Sequence, residues 1–287
     1  MDKLVSPRKT VEIINRFNLK LRKKYGQNFL IDENILLKII EAGNLTEKDK
    51  VLEVGPGIGT LTQALSSRAE KVAAVEIDRK LIPVLQENLE NCTNVSIVHG
   101  DILKMNLKKM MLVCLGEGSC KVISNLPYNI ATPLISTLIK ERQLFDLMLF
   151  MVQREVAERI TSSAGKKDYS AVSVLVQNYA EAEILFRVSP KVFLPPPEVE
   201  SAVIKLKVRE QPLFTPRDED LFYKVVKGSF RHRRKSLVNS LKSALNMDKE
   251  MLTEVIIKAG LDTSCRGERL SIEEFANLTD IIYNYRE

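Results

Sequence analysis

A short strand-like run, Val51-Leu52-Glu53-Val54, feeds Gly55-Pro56-Gly57-Ile58-Gly59-Thr60, and residues with helical spacing follow from Leu61 to Ser67. A strand that turns through glycines into a helix is the opening unit of an open α/β sheet. The glycines let the backbone come close to a ligand, and the helix start leaves N–H groups facing it. Thr60 occupies the sixth position, where a pyrophosphate-binding fingerprint places its last glycine. A nucleoside without a phosphate therefore fits this turn better than a dinucleotide, which counts against a nicotinamide oxidoreductase.

The next strand, Val72 to Ile77, ends with Glu76 and Asp78. A carboxylate about 20 residues beyond the glycine turn, at the end of the second strand, is placed to accept both ribose hydroxyls. Glu76 is the better candidate, because Asp78 also suits the cap of a helix from Arg79 to Leu89. A third strand, Val95 to His99, leads to Gly100-Asp101-Ile102. There Asp101 can accept a hydrogen from adenine N6 while Ile102 packs on the ring. His99 reads as an edge-of-core histidine. Residues 103–120 read as loop, with Gly116 and Gly118 breaking any helix.

Lys121-Val122-Ile123-Ser124 reads as a buried strand, and Ala131 to Lys140 has helical spacing. Between them Asn125-Leu126-Pro127-Tyr128-Asn129-Ile130 sets an amide, a carbonyl and an aromatic face on one turn, at the strand edge where ligands of open α/β sheets bind. Pro127 has no N–H and biases Leu126 to an extended backbone, so the Leu126 carbonyl can point outward without a local donor. An exocyclic amino group supplies such a donor.

A fifth strand spans 144–153, a helix starts at Glu155, and 165–170 is a polar loop. Three prolines within Phe193-Leu194-Pro195-Pro196-Pro197-Glu198-Val199-Glu200-Ser201 hold an extended backbone that can set Phe193 at a pocket rim. The same loop also reads as purely structural. A strand over 202–208 follows, and from Pro212 onward the pattern is helical: 218–229, 236–245, 249–259 and 271–285, the last opened by the capping box Ser271-Ile272-Glu273-Glu274. The domain reading is residues 1–208, including a basic arm over 1–24, followed by a small all-helical domain over 209–287.

The net charge of +6 is unevenly placed. Residues 1–24 hold eight Lys/Arg against two acids, and 224–242 hold seven against none. Two basic blocks on an acidic body suit a polyanion such as nucleic acid, although each block alone also reads as a solvated helix face. The N-terminal block, with Val11, Ile14, Phe17 and Leu21 on one face, spans a predicted helix over 8–24. Gln27 and Asn28 then precede the apolar anchor Phe29-Leu30, as in a loop folding over a ligand, and Asp32 suits the cap of a helix over 33–42. No apolar run approaches the ~20 residues of a membrane span. The basic N-terminus lacks the apolar core of a secretory signal. Its basic-apolar alternation is that of a transit peptide, against which Asp2 and Glu12 count. Four cysteines without a Cys-x-x-Cys pair and two distant histidines (His99, His232) predict no metal site and a reduced cytoplasmic setting.

The order Gly26-Gln27-Asn28-Phe29-Leu30, Glu53-Val54-Gly55-Pro56-Gly57, Val75-Glu76-Ile77-Asp78, Asn125 to Ile130 and Val192 to Pro197 resembles that of the small-subunit ribosomal RNA adenine dimethyltransferases. Arg233-Arg234-Lys235-Ser236-Leu237 and Arg269-Leu270-Ser271 in the helical tail are also similar, so the resemblance spans nearly the whole chain. Tyr25, Ala131 and His232 depart from the pattern. The resemblance implies an α/β fold with a Rossmann-like class I methyltransferase sheet and a helical C-terminal domain. It implies S-adenosylmethionine as cofactor, held by Gln27, Asn28, Leu30, Gly55, Gly57, Glu76, Ile77, Asp101, Ile102 and Asn125. The implied reaction is dimethylation of N6 on two adjacent adenosines near the 3′ end of 16S ribosomal RNA, with a role in small-subunit biogenesis. A monomer acting on the small ribosomal subunit, with no membrane partner, is expected. Arg231, Arg233, Arg234, Lys235, Lys23 and Lys24 are the expected RNA contacts.

The same resemblance sets the chemistry. The amine lone pair is delocalised into the adenine ring, so two acceptors, Asn125 and the Leu126 carbonyl, are expected to draw it toward tetrahedral geometry. Tyr128 is expected to stack on the base and Phe193 to close its other side. Rival readings are a large-subunit ribosomal RNA adenine methyltransferase of the macrolide-resistance type and a noncatalytic nucleic-acid-binding factor on the same fold.

Overall fold

The computed structural model describes residues 3–19, 27–232 and 234–285, and its backbone contacts divide the chain into two compact units. The first unit holds residues 1–157 and 183–208. It begins with α1 (Pro7–Arg16), whose first turn is capped by Ser6 Oγ accepting from the Lys9 N–H at 3.1 Å, with Pro7 preset for the first helical position. The helix is shorter than its basic-apolar pattern predicts, because the chain turns at Phe17 and Asn18 takes φ 48°. Thr10 and Ile13 form its buried face, and Val11 is exposed. The remainder of the predicted helix, including Leu21, Lys23 and Lys24, lies outside the described residues.

Then come β1 (Phe29–Leu30), α2 (Glu33–Ala42), β2 (Lys50–Val54), α3 (Thr60–Ser66), β3 (Lys71–Glu76), α4 (Ile82–Asn88) and β4 (Val95–His99). They are followed by α5 (Leu107–Cys114), β5 (Cys120–Asn125), α6 (Ala131–Lys140), β6 (Phe145–Gln153), α7 (Arg154–Thr161) and α8 (Ala171–Tyr179). The sheet closes with β7 (Ala180–Val188), β8 (Phe193–Leu194) and β9 (Ser201–Val208). Seven strands lie in the order β4-β3-β2-β5-β6-β9-β7, parallel from β4 to β6, with β9 antiparallel to β6. Strand β2 lies in the sheet interior and is apolar on both faces: Val51, Leu52 and Val54 are buried, as a doubly covered parallel strand requires. The strand order reverses between β2 and β5, so the loops after these two strands open a crevice at their carboxyl ends.

Two further segments of this unit differ from the sequence reading. Residues 107–114 form a helix rather than a loop. Asn106 Oδ1 accepts from the Lys109 N–H at 2.9 Å, Leu107 and Met111 are buried one turn apart, and Gly116 and Gly118 lie beyond the helix end. Phe193 and Leu194 form a strand, pairing antiparallel with Leu30 and Phe29.

The second unit holds residues 158–182 and 209–287. It thus takes in α8, which the sequence reading places in the sheet domain, together with α9 (Glu219–Ser229), α10 (Leu237–Leu245), α11 (Lys249–Lys258) and α12 (Ile272–Asn284). Asp218 caps α9 by accepting from the Leu221 N–H at 2.9 Å. Ser271 and Glu274 exchange both bonds of the capping box, at 3.1 and 2.7 Å. The rings of Tyr169, Phe230 and Phe275 run in series through this unit, with centroids 5.8 and 5.9 Å apart.

Candidate functional site

The crevice at the β2/β5 reversal is a cavity of about 160 Å³ within the first unit. Its floor is the glycine turn after β2. Gly55 and Gly57 both take positive φ, 74° and 62°, and a Cβ on Gly57 would stand 3.0 Å from the Phe29 ring. That close approach, at a positive φ, strongly favours glycine. Phe29 and Leu30, buried in β1, thereby carry the Gln27-Asn28 segment to the cavity wall.

Glu76 ends β3 and is almost fully buried. It accepts from the Asp78 N–H at 2.8 Å and from the Gly57 N–H at 3.3 Å. Burial pushes its carboxyl above the usual range, against the pull of those two N–H donors. Asp78 accepts from the Lys80 N–H at 3.2 Å and from Gln27 Nε2 at 3.0 Å, so it holds the turn ahead of α4 and anchors Gln27, but it does not cap α4, which begins only at Ile82 with Leu81 at its N-cap position. Asp101 accepts from the Leu103 N–H at 3.1 Å and lies 3.7 Å from Lys104 Nζ, while Ile102 is buried beside it. Ile77 lines the same cavity although it is largely exposed.

The opposite wall is the turn after β5. Leu126 is buried and its N–H donates to the Met151 carbonyl at 3.0 Å, which fixes the turn to β6. No described N–H donates to the Leu126 carbonyl. Asn125 Nδ2 donates to the Asn28 carbonyl at 3.3 Å, an orientation that leaves Oδ1 as the free end of the amide. Tyr128 Oη shares a 2.7 Å hydrogen bond with Ser201 Oγ, and burial raises the phenol's pKa while that bond opposes the rise. The site therefore presents a carboxylate, two outward oxygens and an aromatic ring around one apolar-floored space.

Phe193 is a correction. It does not line the cavity; its ring is buried in the core with Leu30, Met151 and Val203. An apolar residue opposite Leu30 in a two-residue ladder is drawn inward by the same burial that holds β1.

Three residues that the sequence reading passed over belong to the site's frame. Ser124 Oγ accepts from the Val54 N–H at 2.9 Å, tying the ends of β2 and β5. Ser201 anchors Tyr128 across 73 residues of chain, which no local pattern signals. Glu53 did carry a signal: it is the lone acid in an otherwise apolar strand. It lines the cavity fully buried, and its Oε2 has no hydrogen-bond partner. Burial pushes its carboxyl up to about 8, with the neighbouring Glu76 adding to the rise and Thr62 opposing it.

These features fit S-adenosylmethionine. A Cβ on either floor glycine would meet Pro127 or Phe29, so the backbone is bare where a nucleoside would lie. Glu76 offers oxygens suited to a diol, and the buried Glu53 Oε2, which has no hydrogen-bond partner, is a natural counterpart for a cationic amino acid end. Among the described residues no group of three or more His, Cys, Asp or Glu is placed to hold a metal ion, and no helix is long and apolar enough to cross a membrane.

Arg231, Arg234 and Lys235 are exposed on the turn between α9 and α10 of the second unit. Arg233, like Lys23 and Lys24, lies outside the described residues.

Residues 18–284 match the family model described as ribosomal RNA adenine dimethylase. Ribosomal RNA small subunit methyltransferase A of Clostridium botulinum (strain Okra / Type B1) is 46% identical over 275 residues, 96% of this chain and 98% of that protein. The protein of the same name from Clostridioides difficile (strain 630) is 43% identical over 282 residues, 98% of each chain. Among solved structures, a dimethyladenosine transferase from Plasmodium falciparum superposes with a TM-score of 0.70 at 28% identity, covering 87% of this chain and 95% of that one. The 23S rRNA methyltransferase ErmE shares the fold, with a TM-score of 0.63 at 24% identity, over 89% of this chain and all of that one.

Proposed function

This chain belongs to the ribosomal RNA adenine dimethylase family, and from that premise we propose that it dimethylates N6 of two adjacent adenosines in the 3′-terminal hairpin of 16S ribosomal RNA, using S-adenosylmethionine. It is an rRNA adenine dimethyltransferase of class I methyltransferase fold. The observation that carries the site assignment is the turn after β5: an Asn125 amide oriented by the Asn28 carbonyl, beside a Leu126 carbonyl that accepts no described N–H.

The cofactor supplies an electrophilic methyl group. Gln27, Asn28, Leu30, Gly55, Gly57, Glu76, Ile77, Asp101 and Ile102 would hold it, with Glu76 on the ribose and Asp101 and Ile102 at its adenine. The target base enters over Tyr128, whose ring is held by Ser201, and stacking contributes ~1–3 kcal/mol. Asn125 Oδ1 and the Leu126 carbonyl accept the two N6 hydrogens. This draws the nitrogen lone pair out of conjugation and aims it, a positioning and electrostatic effect of about 3 kcal/mol per acceptor. The nitrogen becomes cationic on methylation and therefore acidic, so water suffices to take its proton. The base must leave its stack, which costs least in a hairpin loop.

The cytoplasm and the small ribosomal subunit are the setting this reading assigns. The test is transfer from labelled S-adenosylmethionine to small subunits lacking adenine dimethylation, with large-subunit RNA in parallel, followed by nucleoside analysis. Dimethyladenosine in small-subunit RNA alone is expected. Label in large-subunit RNA would move the protein to the resistance-type enzymes, and cofactor binding without transfer would make it a binding factor.

A further inference from the structure

Adenine N6 brings two hydrogens to a first methyl transfer and one to a second, and the turn after β5 meets these two states unequally. In the first, Asn125 Oδ1 and the Leu126 carbonyl each have a hydrogen to accept, and the base stacks on Tyr128. Afterwards N6 carries a methyl group in place of one hydrogen, so one of the two oxygens loses its donor. The base is then aimed by a single hydrogen bond and by the stack, and the stack carries more of the positioning.

That stack rests on one ring. Phe29 and Tyr128 are the aromatic residues of the cavity lining, and Phe29 is buried in β1 against Gly57. Phe193 is turned into the core, which leaves Tyr128 as the aromatic face toward a base. The backbone of Tyr128 lies in the turn after β5, where the Ile130 N–H donates to the Pro127 carbonyl at 3.1 Å. Among the described residues its phenol finds its hydrogen-bond partner on another strand, Ser201 Oγ at 2.7 Å.

Ser201 is a rigid anchor. It opens β9, is fully buried and stands opposite Gln153 at the last step of the β6/β9 ladder. The flanking residues close that step twice: the Arg154 N–H donates to the Glu200 carbonyl at 2.9 Å, and Arg154 Nη1 donates to Glu200 Oε2 at 2.7 Å. The outer torsion of a tyrosine side chain is broad, so a ring held only at its backbone end tilts, whereas one held at both ends keeps a single tilt. Ser201 itself does not line the cavity, so any effect it has on a bound base passes through the ring.

Taking the adenine dimethylation proposed above as the reaction, we infer that Ser201 is a positioning residue which, through the Tyr128 ring, governs the second methyl transfer to an adenosine more than the first. Each transfer forms an N6–methyl bond as the sulfur–methyl bond breaks; the electron pair stays on sulfur, and water takes the displaced N6 proton. Ser201 touches none of these atoms and sets only the plane in which the base presents its nitrogen.

The test follows single turnovers of the full chain, in excess over small ribosomal subunits lacking adenine dimethylation, with saturating S-adenosylmethionine. Nucleoside analysis counts N6-methyladenosine and N6,N6-dimethyladenosine over time for wild type, S201A, Y128F and S201A/Y128F. In S201A the second transfer should slow about tenfold more than the first, as loss of one aiming hydrogen bond does, so that N6-methyladenosine accumulates. Y128F keeps the stacking ring and loses the same bond, so it should show the same partition, and the double variant should be no worse than either single one. Cofactor affinity by calorimetry should be unchanged in S201A. Equal slowing of both transfers, with or without a lower denaturant midpoint, would make Ser201 a structural part of the β6/β9 end and overturn the inference. A shifted partition in Y128F without one in S201A would overturn it as well, because the phenol would then act through another partner. Additive effects in the double variant would show that the two hydroxyls act separately, with the same consequence. Wild type that forms no dimethyladenosine would instead remove the proposed function, a failure visible before any variant is compared.

Discussion

Asn125 holds two tasks through one amide, and its substitution should separate them. Its nitrogen steadies the Gln27-Asn28 segment through the Asn28 carbonyl, and its oxygen is the proposed acceptor for the target amine. Asn125→Ala is therefore expected to lower the transfer rate about 10²- to 10³-fold, as loss of one preorganised partner does, while cofactor affinity by calorimetry falls less than tenfold. Equal loss in both would mean that the side chain serves only the cofactor. Glu76→Ala should show the reverse pattern. It removes the ribose acceptor and strands the Gly57 and Asp78 N–H groups, so the cofactor dissociation constant should rise about 10- to 100-fold, with a smaller change in turnover. An unchanged dissociation constant would remove Glu76 from the site. At Gly57 the constraint is steric: with φ at 62° and the Phe29 ring 3.0 Å from any added Cβ, Gly57→Ala should cost about 1–3 kcal/mol and also lower cofactor affinity. Denaturant unfolding and calorimetry on the same variant check both.

At the scale of elements, the second unit depends on helices and loops approaching at backbone distance. Gly228 lets α9 lie against α10, since a Cβ there would fall 2.5 Å from the Ala244 methyl. Gly228→Ala should destabilise the unit by about 1–3 kcal/mol through overpacking, measured as a lower denaturant midpoint, whereas the exposed Gly260, with nothing within 4 Å of an added Cβ, offers no such clash. Elements of this kind mark how far the sequence can be read. Strand β2, the glycine turn and the turn after β5 were legible because their signals are local: apolar runs, glycines and a proline at fixed spacing. The capping box of α12 was legible for the same reason. Helix α5 was not, because Gly116 and Gly118 read as breakers of the whole stretch when they only terminate it. Phe193 misled in another way, since a proline-stiffened loop can set a ring outward or inward, and only its pairing with Leu30 decides. The Tyr128–Ser201 bond and the joining of residues 158–182 to the helical unit are long-range facts, and one chain's local pattern holds no record of them.

For the molecule as a whole, Glu53 ties folding to pH. Its carboxyl is buried in β2 and titrates near 8 in the folded chain, against an ordinary value of 4.5. A raised folded pKa means that the folded state holds a proton which the unfolded chain has already released at intermediate pH. Stability from this group is thus fully present below about pH 4.5, declines as pH rises, and is lost above about 8. Within that window the slope approaches ~1.4 kcal/mol per pH unit. Glu53→Gln keeps the shape and the neutral state but cannot ionise. The difference in unfolding free energy, wild type minus variant, should therefore shrink by about 2 kcal/mol between pH 6 and pH 7.5, followed by circular dichroism in denaturant. Glu76 is also raised by burial and remains in both proteins, so its own burial cancels in the comparison, which reads Glu53 together with its repulsion from Glu76. A difference independent of pH would mean that Glu53 is ionised in the folded chain, with its charge answered by a group other than those around it. A difference that shrinks as described would place a neutral acid beside the glycine turn, where a cationic ligand entering the cavity would draw out its proton.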